Sequence, residues 1–506
     1  MSPQPPPRLA GRFVLKALLG GLLILCLTSA AVASAVLLQV DRVGDGIRVT
    51  PPARFEPGVI TAAEPGEPQT LLIVGSDRRY GGKQKDVRSD TLMLVRLDPR
   101  QEATAILNVP RDLAVDIPGY GRRKINEAYR FGGLSLVAET VKATLGLEEI
   151  HHAMAVNFKG FRRVVNTLGC IYTDVDRRYF NDNDPPAGGG EAYAVIDLQP
   201  GYQRLCGERA LEYVRFRHTD TDFVRSARQQ TFLRDAKDQV RTSALVSNYD
   251  ELLDIFGRST QADPSLQENK QVLRLLEQAG LSAGKPVRQV RFPAEVQEDT
   301  TTYLGAYVTA GPEVLEQTRE RFLTATRAKQ RLVRPAVVRD GPRRAREGKK
   351  TTLADFGLVD AKREGEEIVA ALEARNAVDF PIYFPQGLTR RGRWTGAPPQ
   401  PRTYELRDRA DRVHQAYRLV FTQNQSRGDF YGVQGTTWRS PPILSGNSEE
   451  LRMRGRRYRL FYDGKKLRIV AWQTASATYW VSNTLGLALT NTEMLGIARS
   501  LTRAGA

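Results

Sequence analysis

The chain has 506 residues, of which 41% are hydrophobic and 26% are charged. These proportions are ordinary for globular proteins, so they exclude a chain that is disordered throughout, and the length predicts two or three domains. The formal net charge of +17 predicts anionic partners: nucleic acid, phospholipid or a phosphate-bearing substrate.

The first predicted element is a transmembrane anchor at residues 17–40, which contain no charged side chain. At about 1.5 Å per residue, such a helix crosses a hydrocarbon layer of about 30 Å. Arg8, Arg12 and Lys16 precede the segment. The positive-inside rule therefore places residues 1–16 in the cytoplasm and the bulk of the chain outside, as a single-pass protein of the cell membrane. A cleaved signal peptide is the alternative, because residues 31–35 are small.

The cysteines agree with this topology. Cys26 lies in the membrane segment, which leaves Cys170 and Cys206 in the part predicted to be outside. Two cysteines in an oxidising compartment predict one disulfide between them. Two separate buried thiols are the alternative.

The residues after the anchor divide into a stalk and a larger domain. Residues 41–69 are rich in proline, glycine and small side chains, which is typical of a stalk. From residue 70 to residue 328, short β-rich segments alternate with helical ones. This alternation predicts a three-layer α/β domain.

Residues 329–377 are predicted to form a basic linker. Between Arg319 and Lys350 there are twelve Lys or Arg residues and three acidic residues. A solvated connector is the expected structure, and contact with an anionic wall or lipid surface is the alternative.

Residues 378–506 are predicted to form a small α+β domain. The stretch RRYRLFYDGKKLRIVAW has an Asp-Gly turn between two alternating strands, which indicates a hairpin. A final helix is expected to begin at Thr490 or Asn491, with Glu493 in its first turn. Three tryptophans suggest either a sugar-stacking platform or, as we expect, core packing: Trp438, Trp472 and Trp480.

Familiar catalytic motifs are missing from the sequence, which contains no H-E-x-x-H, G-x-S-x-G or Walker motif. Instead, arginines cluster with aspartates at the ends of predicted elements. Asp77 ends one predicted strand, and Arg88 and Asp90 begin the next. Two carboxylates suit one hard divalent cation, and guanidinium groups suit phosphate oxygens. A network of structural salt bridges is the alternative.

Six segments occur in an order and spacing that carry a family resemblance: IVGSD, RSDTLMLVRLDP, LNVPRDLAVDIPGYGRRKINEAYRFGG, VNFKGFRRVVNTLGC, LQPGYQRLCGERALEYVRFRH and DFVRSARQQTFL. Together they resemble the LytR-CpsA-Psr (LCP) family of membrane-anchored bacterial cell-wall ligases. The resemblance covers residues 70–233, extends more weakly to 326, and does not include the C-terminal domain.

The resemblance implies a three-layer α/β/α LCP-like fold with a central mixed sheet. This fold would enclose an apolar pocket for a polyprenyl chain, with the pyrophosphate at its mouth. It implies a phosphotransferase that moves an anionic glycopolymer from a polyprenyl-pyrophosphate carrier onto a peptidoglycan sugar hydroxyl, with Mg²⁺ or Mn²⁺ as cofactor. The expected partners are therefore the lipid-linked glycopolymer, peptidoglycan and the membrane, and not nucleic acid.

The resemblance also implies residue roles. The metal-linked residues would be Asp77 and Asp90, which form the catalytic set together with Arg88 and Arg111. The residues expected to bind pyrophosphate are Arg88, Arg111, Lys124, Asn126, Arg215, Arg217, Arg225 and Gln229.

Two other functions are alternatives. A polyprenyl-phosphate-binding protein or a pyrophosphatase would keep the pocket and lack the glycan acceptor. A DNA-binding transcription attenuator would use the basic charge, but the predicted topology opposes it, and the sequence contains no evident recognition helix.

Overall fold

The computed structural model describes residues 53–76, 89–100, 103–182, 194–216, 220, 222–240, 247–248, 251–252, 254–255, 260–282, 285, 287–297, 306–324, 351–373, 378–395 and 401–505. The predicted anchor at residues 17–40 lies outside this set. Among the helices that are described, none combines the length and the apolar character needed to span a bilayer.

The first domain is built on a mixed sheet. Its strands are β1 (Gln69–Ser76), β2 (Ser89–Leu97), β3 (Thr104–Val109), β4 (Ala114–Ile117), β5 (Gly121–Lys124), β6 (His152–Asn157), β7 (Ile171–Val175), β8 (Tyr179–Asn181), β9 (Ile196–Leu198), β10 (Gly201–Leu205), β11 (Thr260–Ala262), β12 (Val287–Val290), β13 (Glu295–Gln297) and β14 (Tyr307–Thr309). Six of them form the central sheet, in the order β11-β6-β1-β2-β3-β12. The β1–β6 and β3–β12 pairs are parallel and the other three are antiparallel, which confirms the predicted mixed sheet.

Helices cover both faces of this sheet. They are α1 (Glu127–Leu145), α2 (Phe158–Thr167), α3 (Gly207–Arg215), α4 (Asp222–Gln239), α5 (Asn269–Ser282) and α6 (Pro312–Thr324). On one face, Val137 of α1 and Phe322 of α6 pack with Leu72 and Leu94 in a large buried core. On the other face, α4 packs against the sheet through Leu233, and α5 packs beside it. The chain therefore forms the predicted α/β domain.

The two faces differ in how completely they are covered. Strand residues on the α1 face are fully buried, whereas Ile73, Val95 and Leu97 on the α4–α5 face are only partly buried. Strand alternation explains why neighbouring residues of β1 and β2 enter such different environments. The α4–α5 face thus presents apolar side chains that the protein itself does not fully cover.

The expected disulfide is present between Cys170 and Cys206. Cys170 directly precedes β7, and Cys206 is the residue before α3. Cys170 has a positive φ of 62°, which is uncommon for a residue other than glycine. The bond links the β7–β10 hairpin to the helix that carries Arg215 at its end.

The C-terminal domain is mostly β-structure, which corrects the α+β expectation. Its strands are β15 (Leu358–Asp360), β16 (Tyr383–Pro385), β17 (Gly387–Thr389), β18 (Arg393–Trp394), β19 (Arg402–Arg407), β20 (Val413–Asn424), β21 (Asp429–Thr436), β22 (Glu449–Met453), β23 (Arg456–Asp463), β24 (Lys466–Gln473), β25 (Thr478–Ser482) and β26 (Leu501–Arg503). Eight of them, β18 to β25, form one antiparallel sheet. The sequence makes the β23–β24 hairpin of this sheet evident through its Asp-Gly turn.

Two helices complete this domain, α7 (Lys362–Glu373) and α8 (Asn491–Ser500). Thr490 caps α8 and forms a capping box with Glu493, as expected. Residues 351–373 were assigned to the linker, but Phe356, Leu358 and Val369 are buried in the core of the C-terminal domain. Their apolar side chains therefore group them with this domain, despite the basic stretch that precedes them.

The two domains share a buried interface. Tyr172 and Tyr202 of the first domain pack with Trp438 and Trp480 of the second. Trp472 is also buried, so all three tryptophans pack in cores and do not form a sugar platform. At the centre of the interface, the fully buried Arg418 lies 3.0 Å from Asp174.

Replacing Arg418 with Met should destabilise the protein by about 3–5 kcal/mol, because it leaves the carboxylate of Asp174 buried without its counter-charge. Chemical denaturation of the purified protein measures this change. Arg457→Met is the matched control, since its ion pair with Glu450 is more than half exposed and should contribute less than about 1 kcal/mol. Equal effects of the two substitutions would contradict a stabilising role for the buried pair.

Candidate functional site

The directions of the strands bring several predicted residues to one end of the sheet. β1, β3 and β6 end there, and β2 begins there. Asp90 lies at the start of β2, Arg111 follows β3, and Phe158 follows β6. The candidate site is therefore assembled from chain segments that are distant in sequence.

Arg111 is the centre of the charged group at this end. Its Nη1 donates a hydrogen bond to Asp90 Oδ1 at 3.1 Å, and its Nε donates to Asp112 Oδ2 at 3.3 Å. Lys124 Nζ lies 3.6 Å from the other oxygen of Asp112. The side chains of Asp90 and Arg111 remain 37% and 20% exposed, so an anion from solvent can reach them.

The backbone fixes this arrangement. β4 and β5 form a hairpin in which Ala114 pairs with Lys124, and the backbone N–H of Asn126 donates to the carbonyl of Arg111 at 3.1 Å. Asn126 itself is buried at the start of α1, and its Oδ1 has no hydrogen-bond partner among the described residues. The K-I-N segment thus holds Lys124 and Asn126 beside Arg111.

Gln229 connects α4 to the sheet next to this group. Its Nε2 donates to Thr91 Oγ1 at 3.0 Å and to the carbonyl of Val214 at 3.1 Å. Its Oε1 accepts from Asn108 Nδ2 at 3.1 Å. Because Thr91 follows Asp90 in β2, Gln229 lies beside the charged group, on the α4–α5 face.

The predicted arginines of α3 and α4 lie near the same end. Arg225 precedes Gln229 by one helical turn, so the two share a face of α4, and Arg225 is 6% exposed. Arg215 ends α3, with its guanidinium carbon 4.7 Å from the ring centroid of Phe158. Asp77, Arg88 and Arg217 lie outside the described residues.

A buried ionic cluster supports this region, although no local sequence pattern indicates it. The side chain of Asp220 is inaccessible to solvent and pairs with both Arg177 and Arg228. Arg228 also donates to the backbone carbonyl of Phe216, which lies between Arg215 and Arg217. Nearby, burial raises the pKa of Asp176 to about 6, although Arg177 and a hydrogen bond from Tyr179 oppose this rise.

A divalent metal needs several ligands. The described residues contain no cluster of three or more His, Cys, Asp or Glu side chains suited to hold such an ion. Asp90 fits as one ligand, because its half-exposed carboxylate supplies the oxygen donors that Mg²⁺ prefers. The second predicted ligand, Asp77, is not among the described residues.

Fold and site define an α/β protein whose cationic site adjoins a partly uncovered apolar sheet face. The sequence model of the LytR_cpsA_psr family matches residues 40–321, which is more than half of the chain. The chain therefore belongs to the LytR_cpsA_psr family.

Similar proteins include two named as polyisoprenyl-teichoic acid–peptidoglycan teichoic acid transferases. TagU of Enterococcus faecalis is 32% identical over 209 residues, which are 41% of this chain and 65% of that protein. TagT of Bacillus subtilis is 31% identical over 221 residues, 43% of this chain and 67% of that protein. The matched region thus spans about two thirds of these relatives.

Among solved structures, TagT bound to LIIa-WTA is similar with 25% identity and a TM-score of 0.42, covering 54% of this chain and 96% of that one. TagT (YwtF) with bound octaprenyl pyrophosphate lipid is 22% identical with a TM-score of 0.39, covering 53% and 94%.

Replacing Asp220 with Asn should destabilise the protein by about 3–5 kcal/mol, because the charges of Arg177 and Arg228 stay buried after their carboxylate is neutralised. The free energy of unfolding measures this change. Asp197→Asn serves as the control, since Asp197 pairs with Arg178 at 2.8 Å while 45% exposed, and a loss of at most about 1 kcal/mol is expected. A comparable loss of stability in both variants would show that the buried cluster contributes no more than an exposed ion pair.

Proposed function

We propose that this protein is an extracytoplasmic phosphotransferase of the cell membrane, anchored by residues 17–40. It would move an anionic glycopolymer from a polyprenyl-pyrophosphate carrier onto a peptidoglycan sugar hydroxyl. Family membership and the activities for which its relatives are named support this function. The observation that carries it is the position of the cationic group at the end of an incompletely covered apolar face.

The apolar face suits the hydrocarbon part of the carrier. Ile73, Val95 and Leu97 lie on the sheet face that α5 covers, where they are partly buried beside the buried Leu71 and Met154. A prenyl chain lying against these side chains would remove their remaining apolar surface from water, which is favourable in proportion to the area covered. The pyrophosphate would then reach the sheet end where Gln229 and Arg111 lie.

The cationic group suits the pyrophosphate. Arginine offers paired donors to phosphate oxygens and remains charged at any physiological pH. Arg111, Lys124 and Arg225 are the described candidates, with Asn126 and Gln229 as polar neighbours. Family resemblance adds Arg215 and the arginines at positions 88 and 217.

In the proposed reaction, the oxygen of the acceptor hydroxyl forms a bond to the phosphorus that carries the glycopolymer. The bond from that phosphorus to the bridging oxygen breaks, and polyprenyl phosphate leaves with the bond's electron pair. Arg111 and its cationic neighbours stabilise the negative charge that develops on the phosphoryl oxygens. Asp90, half exposed beside Arg111, is the carboxylate we assign to accept the hydroxyl proton.

Asp90 and Asp77 are the residues that would hold Mg²⁺ or Mn²⁺. A bound divalent cation would supply further neutralisation of the phosphoryl charge.

The activity is tested with the full-length protein in detergent, a polyprenyl-pyrophosphate-linked saccharide, peptidoglycan oligomers and Mg²⁺. Mass spectrometry should detect a phosphodiester-linked product that is lost in EDTA and in Asp90→Ala. Full activity in EDTA would refute metal dependence. Release of polyprenyl phosphate at the same rate with and without the glycan acceptor would favour a pyrophosphatase.

Replacing Arg111 with Ala should lower kcat by about 100-fold or more, as expected for a donor that stabilises transition-state charge. Stability should change by less than about 1 kcal/mol, because the ion pair with Asp90 is partly exposed. Arg122→Ala, on the neighbouring β4–β5 hairpin and 54% exposed, is the control and should retain activity. Parallel losses of activity and stability in Arg111→Ala would instead indicate a structural salt bridge.

A further inference from the structure

The turn between β20 and β21 brings the C-terminal domain to the start of α4. Gly428 in this turn has a positive φ of 68°, and a Cβ built on it would lie 2.9 Å from Cγ2 of Val224. Val224 is 8% exposed and directly precedes Arg225, one of the candidate pyrophosphate ligands. The turn therefore packs against the first turn of the helix that serves the candidate site.

A second contact fixes the same turn. The ring centroid of Phe430, in β21, lies 4.9 Å from the guanidinium carbon of Arg177. Arg177 in turn pairs with Asp220, in the cluster that holds the carbonyl of Phe216 through Arg228. The tip of the turn is thus held beside the candidate site by packing and by a cation–π contact.

The first domain contributes an arginine to the same place. Val290, the last residue of β12, pairs with Leu107 of β3. Arg291 comes next, directly after β12, at the sheet end where Asn108 follows Leu107 and binds Gln229 through its side chain. Gln289, two residues earlier, lies within hydrogen-bond distance of Thr231 and Arg234 of α4.

Arg291 and Arg427 are both exposed. Burial raises the pKa of Asp429, the first residue of β21, and the positive charges of Arg427 and Arg291 oppose this rise, so both arginines lie near that carboxylate. Within the described part of the chain, neither guanidinium group makes an ion pair with a carboxylate. Two exposed guanidinium groups next to a phosphate site can therefore take further anionic groups from solvent.

We propose that Arg291 and Arg427 bind the anionic glycopolymer of the donor, outside the pyrophosphate and at the seam between the two domains. This inference rests on the proposed function. A glycopolymer attached to the pyrophosphate leaves the site away from the apolar face, and the two arginines lie at that rim. Their partner is a chain that bears regularly spaced phosphate or carboxylate groups, which the lipid and the pyrophosphate alone do not supply.

The experiment measures binding of two probes to the full-length protein in detergent by calorimetry. One probe is a lipid-free poly(glycerol phosphate) oligomer, and the other is geranylgeranyl pyrophosphate. Arg291→Ala with Arg427→Ala should weaken oligomer binding by about tenfold or more, because two charge-assisted contacts to phosphate are lost. Binding of geranylgeranyl pyrophosphate should stay unchanged, and lysine at both positions should restore part of the oligomer affinity.

The control variant removes two positive charges from a different part of the protein. Lys362→Ala with Arg363→Ala deletes two cations on α7, where the side chains are 52% and 93% exposed, and should leave oligomer binding intact. The salt dependence of oligomer binding should become shallower only in the Arg291 and Arg427 variant, since fewer phosphate charges are neutralised there.

The outcomes separate this inference from the proposed function. Unchanged oligomer affinity in the double variant overturns the inference, as does an equal loss for both probes, which would assign the arginines to the pyrophosphate site. Oligomer binding that depends on the arginines, without any binding of geranylgeranyl pyrophosphate, supports the inference and contradicts the proposed function.

Discussion

The carboxylate of Asp220 lies buried between the guanidinium groups of Arg177 and Arg228, and much of the site depends on this contact. A charge taken out of water must be paired, so the three side chains hold one another in a single geometry. Through the carbonyl of Phe216, the cluster fixes the segment that follows α3. Through the ring of Phe430, it also holds the C-terminal domain. One buried ionic contact therefore joins the position of the candidate arginines to the docking of the second domain.

The central sheet imposes the second constraint, because its two faces have different partners. The apolar side chains on the face toward α1 and α6 are completely buried, which gives the domain a rigid support. The opposite face keeps Ile73, Val95 and Leu97 partly uncovered, and it ends at Gln229 and Thr91. An amphipathic ligand with a long apolar part and an anionic end matches such a surface. Stability and ligand binding are thus assigned to opposite sides of the same strands.

The C-terminal domain borders the candidate site on a second side. Its sheet is fixed to β7 and β10 through Tyr172, Tyr202 and the ion pair of Asp174 with Arg418. This rigid attachment positions the β20–β21 turn beside α4. A domain outside the familiar segments of the family can therefore contribute to the proposed choice of glycopolymer.

The sequence by itself determined the α/β class of the first domain, the cysteine pair and the capped final helix with Glu493 in its first turn, since local periodicity and short motifs encode these features. The clustering of arginine with aspartate also indicated Asp90 and Arg111 as candidate site residues, and the family resemblance added Gln229. Only the tertiary structure decided that residues 351–373 pack with the C-terminal domain, that this domain is mostly β, and that Asp220 is buried. It alone brought Arg291 near Arg427, because 135 intervening residues leave no local pattern. Contacts between distant segments depend on how complete domains pack, and the hydrophobic periodicity within one segment does not specify that packing.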